Sequence, residues 1–398
     1  MPLLNFQPHT QIPASKSIMN RLVICKSYFP NLEIQSDSNC EDVVLLREAL
    51  GNINRDDFYV GSGGTTLRFL SLRLSRYPGK HRIRMTPQLM SRPHADLKDL
   101  LEQLGIANSW QNNEVLIEGG KWNHTKPIEV GVEQTSQILS SLLLNAWLLE
   151  DDLEIHFRGE LVSPSYLKMT LEILHYLGMH WLPLENGLKI PKGQTIRNFE
   201  VKSEIDMSSA FSVAALCSIN KNHCIEPFNI PSIQADAEFV RVLQNMGVDL
   251  HFGQQSLHIQ KCETLKGITY NLHDCPDLFP VLAMLCSMAE GESKLYGAPH
   301  LVYKESNRIA SIAHAFEKLK IRHERLEDGI WIAGQAAYLQ KDFTEMSCFE
   351  DHRIAFALAL AKLHGHNIKI LGSDCVKKSY PSFWQQFDED FCEKDLYL

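Results

Sequence analysis

The residues best placed to do chemistry in this 398-residue chain are polar and cationic groups at the starts of apolar helices. In "PASKSIMNR", Pro13 to Arg21, a Pro-Ala-Ser turn leads into the apolar run Leu22, Val23, Ile24, Cys25. Ser15 or Ser17 is placed to cap the exposed N–H groups, and Lys16 and Arg21 make the first turns cationic. A helix N-terminus already carries partial positive charge, so this arrangement is unfavourable unless an anion docks there.

The pattern recurs. "GSGGTTLRFLSLRL" begins at Gly61, "QTSQILSSLLLNAWLL" at Gln134, "DMSSAFSVAALCSI" at Asp206, "DCPDLFPVLAMLCSMAEG" at Asp274 and "EDHRIAFALALAKLHG" at Glu350. Each is a small or polar turn followed by an apolar helix expected to run some three turns. Their starts carry Gly64, Thr65 and Arg68; Thr135, Ser136 and Gln137; Asp206; Asp277; and Asp351, His352 and Arg353. Several such starts make a cleft suited to a ligand with several negative charges.

Three further segments add cations. "LMSRPHADL" carries Arg92 just before a helix, and "DCVKKSYPSF" carries Lys377 and Lys378. "YKESNRIASI" spaces Lys304 and Arg308 at i and i+4, which predicts one face of one helical turn, with Glu305 beside the lysine. "GSGGTT" is not a P-loop, since no Gly-Lys-Ser/Thr follows, and Thr66 stands where a dinucleotide fingerprint needs its last glycine. It remains a backbone that a ligand can approach closely. His364 and His366 in "LHGHN" are expected to mark a turn, and no metal-binding helix motif or nucleophile elbow is present. This inventory of Arg, Lys, Ser, Gln and a few carboxylates suits general acid–base chemistry on an anionic substrate, with no metal and no cofactor expected.

The elements that position these groups follow from periodicity. The six apolar helices are hydrophobic almost all round and must be buried. Between them lie amphipathic helices such as "ADLKDLLEQLG" and "AEFVRVLQNMG", and alternating segments such as "NEVLIEGG", "LEIHFRG" and "GITYNLH". Strands must pack around the helices in an α/β architecture. Three copies precede "VKSEID" and three follow it, with no Gly/Ser-rich or Pro-rich linker there.

A net charge of −9 argues against a general nucleic-acid or membrane-surface binder. The ten cysteines include no C-x-x-C pair and most sit among apolar residues, which predicts small buried hydrophobes and a reducing compartment. "MPLLNFQPHTQ" lacks the basic and apolar regions of a signal peptide, and no apolar run reaches the ~20 residues of a membrane span. The expectation is a cytoplasmic protein acting on small molecules, as a monomer.

Taken in order, "PASKSIMNR", "GSGGTTLR", "SRPHADL", "TSQILSSLLL", "LVSPSY", "PDLFPVLAML", "YKESNR", "EDHRIAFALAL" and "KKSYPSF" resemble the motif series of the 3-phosphoshikimate 1-carboxyvinyltransferase (EPSP synthase) family. The resemblance covers nearly the whole chain. It implies a two-domain inside-out α/β barrel in which each domain has three βαβαββ units with buried helices. One domain would span 15–204, and the other 1–14 together with 205–398. The implied reaction moves the enolpyruvyl group of phosphoenolpyruvate to the 5-hydroxyl of shikimate 3-phosphate and releases phosphate, on the route to chorismate and the aromatic amino acids. Domain closure on binding would exclude water.

By the same resemblance Lys16, Ser17, Arg21, Thr135, Ser136, Gln137, Ser163, His300 and Lys304 would hold shikimate 3-phosphate. Lys16 would also reach phosphoenolpyruvate, with Gly64, Arg92, Gln137, Arg308, Arg353 and Lys378. Asp277 would accept the hydroxyl proton and Glu305 would donate one to the methylene, with Lys16 also catalytic. Departures from the family pattern are Ser62 for the usual Asn, Thr135 for Ser, His300 for Asn and Asn307 for Asp. The related transferase acting on UDP-N-acetylglucosamine shares the fold but needs a catalytic cysteine on a mobile loop of its first domain. Cys25 and Cys40, the cysteines ahead of Cys217, are not set in such a loop pattern. A homologue that binds shikimate 3-phosphate without turning it over would be signalled by loss of Lys16, Asp277, Glu305 or Arg353, and all four are present.

Overall fold

The computed structural model describes residues 11–124, 126–336 and 338–387. These form two compact units, one of Ala14–Ser203 and one running from Glu204 onward and taking in 11–13. Residues 1–10, part of the expected 1–14 segment, lie outside the described residues, as does Cys392. The backbone N–H of Asp206 donates to the carbonyl of Pro13 at 2.8 Å, which ties the early segment to the second unit.

One supersecondary pattern recurs. Strands Asp57–Tyr59 and Gly79–Arg84 run parallel on either side of the helix Gly64–Ser75. The helix Ala95–Gln103 and the antiparallel strands Asn108–Gln111 and Glu114–Gly119 then complete a sheet whose last strand lies next to Gly79–Arg84. The same βαβαββ order and pairing appear in Ile128–Gly131, Leu153–Arg158, Leu182–Leu184 and Gly187–Ile190, and in Thr269–Asn271, Glu292–Tyr296, His323–Leu326 and Gly329–Ala333. Shorter versions complete the set: the three strands His223–Ile225, Leu250–Phe252 and Leu257–Ile259, and the parallel pairs Glu33–Ile34 with Glu200–Val201 and Thr344–Ser347 with Ile368–Leu371.

The sheets alternate. In Gly79–Arg84, His81 and Ile83 are buried while Lys80, Arg82 and Arg84 face water, so each sheet has one wet face. The buried faces cover the apolar helices, which gives each unit the inside-out arrangement. In the first unit the helices Lys16–Tyr28, Gly64–Ser75 and Gln137–Leu144 touch one another. In the second, Met207–Asn220, Phe279–Ser287 and His352–His364 do the same. Ala355, Ala357, Ala359 and Ala361 are fully buried along the last of these, and small side chains of this kind let helix backbones approach closely.

The expected three-turn helix after Gln134 is shorter than its apolar run, ending at Leu144. Asn145 stops it: its side-chain amide donates to the Ser141 carbonyl at 2.9 Å, and Arg76 donates to the Asn145 carbonyl at 2.7 Å. These bonds satisfy carbonyls that another helical turn would have used. The "AEFVRVLQNMG" helix likewise opens with a 3₁₀ turn, Ala235–Glu238, before Phe239–Asn245. His364 closes its helix, Gly365 caps it with φ +119°, and His366 follows, so the pair does mark a turn.

Candidate active site

In the first unit, Ser15 caps the opening helix by accepting from the Ile18 N–H at 3.4 Å. No acidic residue occupies the first turn, so the field of the helix start is left to Lys16. Lys16 Nζ lies 3.2 Å from Asp42 Oδ2, a carboxylate whose side chain is 4% exposed. Arg21 is buried and fixed on every side: Nε donates to Thr170 Oγ1 at 2.8 Å, Nη1 to the Ser17 carbonyl at 2.7 Å and Nη2 to the Tyr166 carbonyl at 3.1 Å. Its guanidinium also lies over the Phe69 ring. Burial lowers its pKa to about 10, which leaves it a cation at neutral pH.

The glycine-rich turn is explained by what surrounds it. A Cβ at Gly64 would come within 2.7 Å of Arg68 Nη1 and 2.9 Å of Arg92 Nη1, and one at Gly63 within 2.8 Å of Asp42 Oδ1. The backbone there is bare because two guanidiniums fill the space. Arg68 Nη1 donates to Gln137 Oε1 at 2.8 Å, linking the second and third helix starts. Arg92 Nε is buried and makes no hydrogen bond among the described residues. Ser62 Oγ bonds Thr86 Oγ1 at 2.9 Å, and Thr135 Oγ1 accepts from the Gln137 N–H at 3.2 Å, so both departures from the family pattern keep a structural bond. Ser136 is the N-cap residue of the Gln137–Leu144 helix. Ser163 holds the left-handed conformation (φ 50°, ψ 56°) immediately before Pro164. That conformation costs an L-residue on the order of 1 kcal/mol.

In the second unit the organising group is Arg308, 1% exposed. Nη1 donates to Asp277 Oδ1, Nη2 to Glu305 Oε2 and Nε to Asp351 Oδ2, each at 2.8 Å. Arg353 Nη2 reaches the other oxygen of Asp277 at 2.6 Å, and Lys378 Nζ the other oxygen of Glu305 at 3.2 Å. Asp351 also caps the His352–His364 helix through the Arg353 N–H and accepts from Ser306 Oγ. Burial alone would raise the Asp277 pKa, but Arg353, Arg308 and Lys304 outweigh it and hold the carboxyl well below its usual range. Arg308 is desolvated too, yet Asp351, Glu305 and Asp277 push it well above its ordinary value. His300 is driven to about 3, by burial first and by Lys304 next, and so stays neutral.

One expectation is corrected. Lys304 and Arg308 do not share a helical turn: Lys304 is extended (φ −77°, ψ −161°) and the helix begins at Arg308. Asn307 caps it, its side chain accepting from the Ala310 N–H at 3.1 Å. A cap residue keeps the segment before it out of the helix.

Two groups escaped the sequence reading, Asp42 and Asp236. Asp42 pairs with Lys16, while Arg68, already noted at its helix start, bonds Gln137. Asp236, buried in the second unit, has its pKa raised to about 7, by burial first and then by Asp277. "CEDVV" reads as an ordinary acidic first turn and "QADAEF" as a solvated one, so for the two aspartates no local signal was available.

Among the described residues no three His, Cys, Asp or Glu side chains form a metal-ligating group, and no helix is long and apolar enough to cross a membrane. Cys25 and Cys40 are buried, and burial pushes the Cys25 thiol up to about 12. Neither suits a nucleophile on a mobile loop.

The fold has known counterparts. An EPSP synthase from Acinetobacter baumannii superposes with a TM-score of 0.73 at 22% identity, over 96% of this chain and 95% of that one. The enolpyruvyl transferase NikO from Streptomyces tendae gives 0.68 at 15% identity, over 97% and 98%. In sequence, the 3-phosphoshikimate 1-carboxyvinyltransferase of Methanococcus maripaludis is 30% identical over 93% of each chain. The protein of that name from Bacteroides fragilis is 28% identical over 94% of this chain and 93% of its own. The family model described as EPSP synthase (3-phosphoshikimate 1-carboxyvinyltransferase) matches residues 10–387, and the chain belongs to that family.

Proposed function

We propose that this protein transfers the enolpyruvyl group of phosphoenolpyruvate to the 5-hydroxyl of shikimate 3-phosphate, releasing phosphate, as a step in aromatic amino-acid biosynthesis. The observation that carries the assignment of roles is the Arg308 cluster. It holds on one guanidinium the two carboxylates that the reaction needs, Asp277 and Glu305.

In this reading Lys16, Ser17, Arg21, Thr135, Ser136, Gln137, Ser163, His300 and Lys304 hold shikimate 3-phosphate. Gly64, Arg92, Arg308, Arg353 and Lys378 hold phosphoenolpyruvate, with Lys16 and Gln137 shared. Asp277 takes the proton of the 5-hydroxyl as its oxygen adds to C2 of the enol, and Glu305 protonates the methylene. The tetrahedral adduct then loses phosphate as the methyl carbon returns a proton. Fixed cations stabilise the charge that develops without reorganising.

Asp277 is a weak base while Arg308 and Arg353 both hold it. A phosphate or carboxylate that takes those guanidiniums releases Asp277 and raises its basicity. The second substrate thereby prepares the acceptor for the first. Lys378 and Arg308 stand in the same relation to Glu305. The test is Asp277→Asn: turnover is expected to collapse while shikimate 3-phosphate binding, followed by calorimetry, largely survives. Unchanged turnover would remove Asp277 as the acceptor.

A further inference from the structure

The first unit contains a cavity that the reaction does not use. It has a volume of about 580 Å³, and its walls include Met19, Val23, Ile34 and Leu50, with Lys26 and Arg47 among the residues around it. A volume of this size holds a small organic molecule. The two helices that wall it, Lys16–Tyr28 and Glu41–Gly51, are also the two joined by the Lys16–Asp42 pair. A further wall, Ile34 and Ser36, belongs to the segment that bonds 201–203, with the Gln35 N–H donating to the Val201 carbonyl and the Ser203 N–H to Ser36 Oγ.

Three charged side chains line it, Lys26, Arg47 and Asp37, and their net positive charge favours an anion. Lys26 Nζ donates to the Leu32 carbonyl at 2.7 Å, and Arg47 Nη2 meets Asp37 Oδ1 at 2.8 Å. The Asp37 side chain is 84% exposed, so the carboxylate now resting on Arg47 is one that water readily takes back. Arg47 therefore already displays the geometry of carboxylate recognition, beside an apolar chamber.

We propose that this cavity is a second small-molecule site, taking an aryl or alkyl monocarboxylate whose carboxylate meets Arg47 and Lys26 and whose apolar body lies against Met19, Val23 and Leu50. Because the same two helices carry Lys16 and Asp42, occupancy is coupled to the anion-binding helix start. That coupling rests on the shikimate 3-phosphate reading, whereas the site itself does not. By linkage the effect is reciprocal: saturating shikimate 3-phosphate changes the affinity of the second ligand by the same factor.

The test uses the full chain with 3-phenylpropionate as probe and its neutral amide as control, each titrated by ligand-observed NMR. The anion is expected to bind on the order of tenfold more tightly than the amide, a preference that Arg47→Ala removes. Gly51→Phe should abolish probe binding with turnover unchanged. Gly51 lines the cavity, and a Cβ there meets nothing within 4 Å, so the larger side chain has room. Equal affinity for anion and amide, or binding untouched by both variants, overturns the site. If calorimetry shows shikimate 3-phosphate bound and the probe affinity does not move, the coupling is overturned. If shikimate 3-phosphate does not bind at all, it is the functional reading that fails, and the amide comparison still decides the site.

Discussion

Asp236 offers a quantitative test of how the second unit is built. It is 6% exposed, beside Asp277 and Asp206, and its pKa is raised to about 7. In the unfolded chain an aspartate titrates near 4, and each tenfold change in proton affinity is worth about 1.4 kcal/mol, so the displacement amounts to on the order of 4 kcal/mol. The sign follows from linkage: the native state binds the proton more tightly, so this contribution to stability is complete below about pH 4. It drains away as pH rises to about 7 and is gone above that. Asp236→Asn replaces the protonated carboxyl with a neutral group of nearly the same shape. Urea melts at pH 4 should give closely similar stabilities for the two proteins. At pH 8 the variant should be the more stable, by up to roughly 4 kcal/mol. A difference that is the same at both pH values, or a variant destabilised at pH 8, would refute the placement of a strained buried carboxyl beside Asp277.

Other perturbations separate positioning from packing. Asp351→Asn keeps the helix cap but removes one of the three carboxylates on Arg308. It should cost roughly 2–3 kcal/mol in denaturant melts, less than loss of a sole partner because Asp277 and Glu305 remain. It should also raise the KM for phosphoenolpyruvate, and a stability loss with unchanged KM would make Asp351 purely structural. Gly64→Ala pushes the ends of two flexible side chains, Arg68 and Arg92, by about half an ångström or more. Stability should move by less than about 1 kcal/mol, while the KM for phosphoenolpyruvate rises roughly tenfold or more, since misplacing such groups by that much is costly. Equal loss of shikimate 3-phosphate binding would contradict the division of ligands made above. Lowering the pH should destabilise the protein once Asp277 protonates: its depressed pKa contributes stability that is present above about pH 4 and lost as pH falls through the native value. Asp277→Asn should flatten that acid limb of the stability curve, and an unchanged limb would count against the ion pairs with Arg308 and Arg353.

The six buried helices were legible because an apolar run unbroken by charge admits few other fates, and the turn preceding each run marks its start. The run after Gln134 overstated its helix because side chains decided the end: Asn145 and Arg76 take the last carbonyls. At Lys304 and Arg308 the i,i+4 spacing misled, although the signal against it was present, since Asn307 directly before an apolar helix reads as a cap. The cluster that Arg308 forms with Asp277, Glu305, Arg353 and Lys378 joins residues that the ordered motifs had already singled out. Asp42 and Asp236 were not, since each gains its meaning from a partner far along the chain, Lys16 for one and Asp277 for the other. The left-handed Ser163 was equally hidden, since a serine before proline ordinarily stays extended.

Enolpyruvyl transfer is read out by inorganic phosphate release from the purified protein, given phosphoenolpyruvate and shikimate 3-phosphate together and each alone. Phosphate is expected only when both are present, with release collapsing in Asp277→Asn. Phosphate from phosphoenolpyruvate alone, or none from the pair while shikimate 3-phosphate still protects the fold against heat, would contradict it.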